Sequence, residues 1–221
     1  MKYKVNFSID FKKNKHKGKF FAIEGIDGSG KTTQANLVVE ELIKRGYKAK
    51  YTKEPTDGVI GKFIKKEILS GKVKVAPASI QYLIAADRAT HQYEIEKELK
   101  KGTILITDRY FWSAICYGIS DIPKPLSYYL TSLSILSMYT QFLNTDSTFF
   151  LDISIKTALK RISKSTKHNE IYDNERKLKK IKNAYDFIKK TFVREFVIVN
   201  AEKDIEEVTK DLVKRIEKKI K

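Results

Sequence analysis

The chain predicts an α/β fold: a five-stranded, mainly parallel sheet with helices on both faces. Three observations carry that expectation. Short apolar runs recur along the chain, and between them lie segments with apolar residues at helical spacing. A glycine-rich turn joins the first buried run, Phe20, Phe21, Ala22 and Ile23, to a helical pattern opening at Lys31. Asp108 directly follows another apolar run, TILIT, as expected where a strand delivers a polar group to the edge of a parallel sheet.

The elements follow in order. Residues 3–11 alternate strictly, with Tyr3, Val5, Phe7, Ile9 and Phe11 apolar and the residues between them polar. That period of two predicts an extra N-terminal strand, at the sheet edge or against a partner chain. Lys12 to Gly18 is a basic linker, so residues 1–17 read as an extension and 18–221 as the main domain. A helix from Lys31 to Arg45 ends at Gly46, a C-cap glycine. Tyr47 to Thr52 reads as the second strand, and Val59 to Leu69 and Pro77 to Lys100 as helices. The second of these helices carries Ile80, Leu83, Ile84, Ile95 and Leu99 on one stripe, interrupted by Asp87. Thr103–Thr107 is the third strand, Pro123 to Phe142 a helix, and Thr148–Asp152 the fourth strand. Helices over Ile155 to Ile162 and Leu178 to Phe192, a fifth strand at Phe196–Val199 and an amphipathic helix from Asp204 to Ile220 complete the chain.

Composition narrows the classes. Hydrophobic content of 42% beside 32% charged residues describes a globular chain and excludes a disordered one. The single Cys116, among apolar and aromatic neighbours, excludes an intrachain disulfide framework and reads as a buried structural thiol. No run has the length of a membrane span or the pattern of a signal peptide, so a cytoplasmic protein is expected. The net charge of +17 suits an anionic partner. It is equally the surface that an AT-rich or heat-adapted genome writes in Lys, Glu and Ile, and alone it decides nothing.

The glycine-rich turn is specific. Gly25-x-x-x-x-Gly30-Lys31-Thr32, between a strand and a helix, fits the phosphate-binding loop without mismatch. Glycines let successive N–H groups approach an anion, and the helix that starts there adds its positive end. Lys31 supplies a mobile charge for the β- and γ-phosphates, and the Thr32 hydroxyl is placed to ligate Mg²⁺. The loop from Gly25 through Ile26, Asp27, Gly28, Ser29, Gly30, Lys31 and Thr32 to Thr33 is therefore the candidate ATP site. Asp108 sits where a carboxylate could hold Mg²⁺ opposite Thr32. Arg109 beside it and Arg88 mid-chain offer planar forks suited to phosphate. Either Asp-Arg pair alone reads equally well as an ion pair. Both, with a phosphate loop, point to a second phosphate-bearing substrate and to a kinase more than to a hydrolase. His16, His91 and His168 lack metal-ligand spacing, and His91, one turn beyond Asp87, reads as structural.

At this point the residues resemble the thymidylate kinase family, from about Lys19 to the C-terminus. Glu24 to Gln34 (EGIDGSGKTTQ) is similar to that family's phosphate loop, and Thr52-Lys53-Glu54-Pro55 to its TREP motif. Tyr82 to His91 (YLIAADRATH) resembles its base-binding helix, and Asp108-Arg109-Tyr110 with Ser113 and Tyr117 its DRY…S…Y segment. The resemblance implies a P-loop kinase fold with a short helical lid at about 160–173. It also implies Mg-dependent transfer of the γ-phosphoryl of ATP to dTMP, in a homodimer; the chain itself points to no membrane partner and makes nucleic acid the lesser reading of its charge. Carried over by position, Asp27 would hold the sugar 3′-hydroxyl region, Arg109 the acceptor phosphate, Arg88 the thymine edge, and Tyr117 the underside of the deoxyribose. Glu54, Pro55, Ile84 and Ser113 would complete the substrate site. Lys31 would bridge donor and acceptor charge.

The family places a base on the transferring phosphoryl from the loop or from the lid. Positions 26–29 contain none, which leaves Arg161, Lys164 and Lys167 of the lid. Residues 156–190 carry twelve basic and four acidic side chains, net +8. The sequence departs from the family at Ile84, where an aromatic is usual, at Lys53 for the TREP arginine, and at Gly118, where many members have glutamine. It offers Lys164, Lys167 and His168 where lid arginines are common. Two alternatives stay open on the residues: a kinase for another nucleoside monophosphate, and a nucleotide-dependent nucleic-acid-binding protein.

Overall fold

In the computed structural model, which describes residues 8–120, 125–164 and 175–220, five strands form one parallel sheet in the order β2-β3-β1-β4-β5. The strands are β1 Phe20–Glu24, β2 Ala49–Lys53, β3 Ile104–Asp108, β4 Ser147–Asp152 and β5 Phe196–Asn200. β1 and β3 are buried along their whole length, which is why they read as unbroken apolar runs with no alternation. β1 is central, and the chain crosses from β3 on one side of it to β4 on the other. Ligands bind at such a switch point, beyond the carboxyl ends of the strands. Register sets those ends level: Ile23 and Lys53 both pair with Asp108, and Glu24 pairs with Phe150.

The helices are α1 Lys31–Lys44, α2 Val59–Phe63, α3 Pro77–Lys100, α4 Phe111–Ile119, α5 Pro125–Ser137, α6 Ile155–Ser163, α7 Glu175–Thr191 and α8 Ile205–Ile220. α1 buries Ala35, Val38, Val39 and Leu42 and ends as its sequence demands. Gly46 takes φ 85°, its N–H donates to Ile43, and the N–H of Tyr47 donates to Leu42, a complete Schellman closure. α2 continues as one π-helical turn, Ile64–Ile68. α3 starts on Pro77, where the missing N–H costs nothing.

Three expectations need correction. The extra N-terminal strand is not formed over residues 8–11, and residues 3–7 lie outside the described residues. Only an isolated bridge links Lys12 to Leu143. Over residues 8–11 the alternation reflects one-sided packing, with Phe11 stacked on Phe111 (5.7 Å between ring centres) and edge-on to Trp112 (6.0 Å). The linker is anchored too, because Asp146 accepts from both Asn14 Nδ2 and Phe20 N. α4 was not foreseen at all. Its sequence FWSAICYGI is buried nearly all round, so it shows no polar face and no helical period. The helix expected to run to Phe142 stops at Ser137. Tight turns from Tyr139 to Leu136 and from Phe142 to Tyr139 follow, and they seat the Tyr139 ring against Arg88. Of the lid expected at about 160–173, only residues 160–164 are described.

Candidate active site

The phosphate loop adopts the conformation that its glycines permit. Gly25, Gly28 and Gly30 have φ of 150°, 79° and 92°. A side chain at Gly28 would meet the Ala158 carbonyl at 2.6 Å, so α6 packs directly on the loop backbone. α1 starts at Lys31 and aims its N-terminal N–H groups at the loop. The Lys31 ammonium donates to the Ile26 carbonyl at 2.8 Å and lies 3.7 Å from Asp27 Oδ1. Burial, helped by Arg109, lowers its pKa; Asp27, Asp108 and Glu24 offset part of that effect. The Thr32 hydroxyl donates to Asp108 Oδ2, while Asp108 Oδ1 is buried without a hydrogen-bond partner. A hydroxyl and a carboxylate with one unsatisfied buried oxygen, beside an anion cradle, make a hard-oxygen donor set that would suit Mg²⁺.

Arg109 is the one non-glycine among the described residues with positive φ (68°). Its N–H donates to the Ile23 carbonyl at 3.1 Å, and its own carbonyl accepts from Thr107 Oγ1 at 2.8 Å, which holds the turn. The turn swings the guanidinium back over the loop, where it donates to Asp27 Oδ1 and, at 3.2 Å, to Ser113 Oγ. Tyr117 donates to the other Asp27 oxygen at 2.7 Å and sets its ring 5.1 Å from the Arg109 guanidinium. Burial raises the Asp27 pKa, but Arg109 and Lys31 outweigh it and hold the carboxyl below its usual range.

Behind this group lies Glu24, fully buried at the end of β1. It accepts from Tyr110 N (2.9 Å), Ser113 N (3.1 Å), Ser113 Oγ (2.5 Å) and the Tyr185 hydroxyl (2.9 Å). Burial raises its pKa despite these donors. Glu24 thereby fixes the N-terminus of α4, and through Ser113 it fixes Arg109. Tyr185 ties in α7. Sequence reasoning gave Glu24 and Tyr185 no role. An acidic residue ending an apolar strand was the available signal for Glu24; Tyr185 showed only as core periodicity.

A second relay holds Arg88. Thr52 Oγ1 meets His91 Nε2 at 2.7 Å, His91 Nδ1 meets Glu54 Oε1 at 2.9 Å, and Arg88 Nε donates to Glu54 Oε2 at 2.7 Å. The Arg88 guanidinium lies 4.3 Å from the Tyr139 ring centre and 5.1 Å from that of Tyr110. Arg88 is 1% exposed, and its Nη1 has no partner. His91 is structural as expected. Asp87 also positions backbone, accepting from Thr56 N (2.7 Å) and Thr56 Oγ1 (2.6 Å).

Both groups open on one cavity of about 770 Å³ that runs from the phosphate loop to α3. Residues 23–212 match the family model described as thymidylate kinase. The chain belongs to the thymidylate kinase family. It is 42% identical over 168 residues to a probable thymidylate kinase of Methanococcus maripaludis, covering 76% of this chain and 75% of that one. It is 35% identical over 206 residues to one from Thermococcus onnurineus, covering 90% and 97%. A solved thymidylate kinase from Candida albicans superposes with a TM-score of 0.77 at 27% identity, covering 92% of this chain and 94% of that one. The match agrees with the P-loop kinase fold expected above. Thymidylate kinases are ATP-dependent nucleoside monophosphate kinases that convert dTMP to dTDP.

Set against that family, the structure brings most of the expected residues together. Asp27 to Thr33, Glu54, Pro55, Ile84, Arg88, Asp108, Arg109, Ser113, Tyr117 and Arg161 all line the cavity. Gly25 and Ile26 do not. Gly25 is pressed against Leu151 and Ser29, and Ile26 is core, so they shape the loop from behind. Arg161 donates to the carbonyls of Ser29 (3.4 Å) and Ala201 (2.9 Å), which puts the expected lid base on the phosphate loop. Lys164 follows the end of α6 and does not line the cavity, and Lys167 lies outside the described residues. Two of the groups that follow strands do not line it either: Asp152 pairs with Lys182 (3.1 Å), and Asn200 accepts from Glu202 N (3.0 Å). Among the described residues no helix is long and apolar enough to cross a membrane.

Proposed function

We propose that this chain transfers the γ-phosphoryl of ATP to the 5′-phosphate of dTMP, with Mg²⁺, and that the named residues divide the work. The observation that carries the reading is the facing of two cationic groups in one cavity: Lys31 in the phosphate loop, and Arg109 clamped by Asp27, Ser113 and Tyr117. The N–H groups of the loop and Lys31 take the β- and γ-phosphates. Thr32 and Asp108 would hold Mg²⁺, which when bound neutralises charge on those phosphates. Arg109 grips the acceptor phosphate, with Asp27 orienting it and addressing the 3′-hydroxyl. Tyr117 lies under the sugar and crowds a 2′-hydroxyl. Arg88 and Ile84 meet the base. Arg161 supplies the positive charge that positions 26–29 lack.

The chemistry needs no general base. A phosphate monoester is largely dianionic at neutral pH, its second pKa being about 6. One of its oxygens attacks the γ-phosphorus, the bond from that phosphorus to the β,γ-bridging oxygen breaks, and ADP leaves with the electron pair. The protein contributes positioning and charge stabilisation. A coupled ADP-release assay with dTMP, dUMP, dCMP, dGMP, UMP and thymidine tests the assignment. Strong preference for dTMP is expected; turnover of another acceptor would keep the mechanism and replace the substrate. No turnover in folded protein that still binds ATP would overturn both.

The same reading carries a homodimer through α3. Tyr82 and Tyr93 are 67% and 79% exposed and lie on one face of that helix with Ala86 between them, while the opposite face holds Arg88 and His91. Sedimentation should give twice the 25.6 kDa chain mass at micromolar concentration, and a Tyr82→Glu/Tyr93→Glu variant should give one chain. A monomeric wild-type chain would exclude the interface.

A further inference from the structure

We propose that Gln81 reads the base: its side-chain carbonyl accepts the N3–H of a 4-keto pyrimidine whose O4 is taken by Arg88. The inference rests on the cavity being the dTMP site. Gln81, Ile84 and Arg88 stand at i, i+3 and i+7 on one face of α3, and all three line the cavity. Among the described residues, Gln81 Oε1 is buried and accepts no hydrogen bond, and Arg88 Nη1 is buried and donates none. Each is a polar atom without a partner, one an acceptor and one a donor, on residues of α3 that line the cavity. Native proteins seldom leave such atoms unpaired, because each forfeits the hydrogen bonds it made in water.

Room for the Gln81 amide comes from the opposite wall. Gly118 of α4 faces it, and a methyl there would meet Gln81 Nε2 at 2.9 Å and Cδ at 3.2 Å. The same methyl would meet Ile135 Cδ1 at 2.5 Å, so a larger residue at 118 would have to move Ile135 as well as the amide.

The pairing also sets selectivity. An amide can turn over to present either its oxygen or its nitrogen, so alone it would satisfy a 4-keto or a 4-amino pyrimidine. Arginine only donates. With Arg88 directed at position 4, the base must offer an acceptor there, as O4 of thymine or uracil does and the amino group of cytosine does not. N3 then carries hydrogen, and Gln81 must present its oxygen. Arg88 fixes the choice of base, and Gln81 adds affinity for the imide so chosen.

The test compares dTMP with N3-methyl-dTMP, in which a methyl replaces the N3 hydrogen while both carbonyls remain. In wild type the analogue should lose at least about 10-fold in kcat/KM, because the buried Gln81 oxygen is left unpaired with a methyl set against it. Gln81→Ala, which removes the acceptor and leaves room for the methyl, should lose about 10-fold on dTMP, through KM rather than kcat, and should no longer distinguish the two acceptors. Its KM for ATP and its Tm should be unchanged. A preference for dTMP over the analogue that survives in Gln81→Ala, or no preference in wild type, would overturn the proposal. If wild type does not phosphorylate dTMP, the functional reading falls on its own. The two ligands can then be compared by calorimetry on the wild-type protein, where equal Kd values overturn the Gln81 assignment separately.

Discussion

Lys31→Ala should lower kcat by about 10³-fold, equivalent to about 4 kcal/mol of lost transition-state stabilisation at 1.36 kcal/mol per tenfold. The magnitude follows from the setting. Lys31 is 6% exposed, so its charge acts through little water, and it is held by the Ile26 carbonyl and Asp27 before any nucleotide arrives. A preorganised cation costs no rearrangement when charge migrates from the γ-phosphoryl to ADP. Stability should move the other way. Burial lowers the Lys31 pKa, so the native state disfavours this ammonium, and its removal should leave Tm unchanged or raised. Coupled-assay kinetics and a thermal melt on one preparation check both signs. A kcat within tenfold of wild type would remove Lys31 from the mechanism; a collapsed Tm with lost activity would make it a structural residue.

That opposition between stability and activity bears on what was legible in the sequence. The phosphate loop announced itself because a close backbone turn around an anion demands glycines at fixed spacing, here between a buried strand and a helix. β1 and β3 were legible from hydrophobicity alone, and the polar groups at their ends were the right ones to examine. α4 was not legible, since a helix buried on every side has no period, although it carries Ser113 and Tyr117. The motifs named those residues while their element stayed hidden. Contacts between distant segments were hidden too: Gln81 against Gly118, Tyr185 on Glu24, and the Thr52-His91-Glu54-Arg88 relay each join parts of the chain with no local signature. The N-terminal alternation shows the converse error. A period of two reports a segment with one buried face, and over residues 8–11 that face packs on α4 without joining the sheet.

Arg88→Met should destabilise the fold by about 3–5 kcal/mol, because it leaves the buried Glu54 carboxylate without its cation. It also removes the guanidinium packed on the Tyr139 and Tyr110 rings, an interaction of about 2 kcal/mol when desolvated. At about 2–4 °C per kcal/mol for a chain of this size, Tm should fall by roughly 10 °C. The double variant Glu54→Gln/Arg88→Met should recover much of that loss, since most of it is the cost of an orphaned charge rather than the net value of the pair. Protonation gives an independent handle on the same carboxylate. Burial raises the Glu54 pKa, but Arg88 and His91 outweigh burial and hold it below the ordinary 4.5. A depressed native pKa means that the unfolded chain binds the proton more readily, so in wild type this stabilisation is full above pH 4.5 and fades as pH falls below it. Without Arg88 the desolvation effect prevails and the native pKa rises. The variant then gains stability as pH falls from 7 toward 4.5, a range over which Glu54 gives wild type no such gain. The Tm gap between the two proteins should therefore narrow over that range, as melts in matched buffers will show. A gap independent of pH would mean that the loss comes from packing on the two tyrosines, with Glu54 a bystander. The double variant separates the same causes at constant pH, because packing loss would persist in it and charge loss would not.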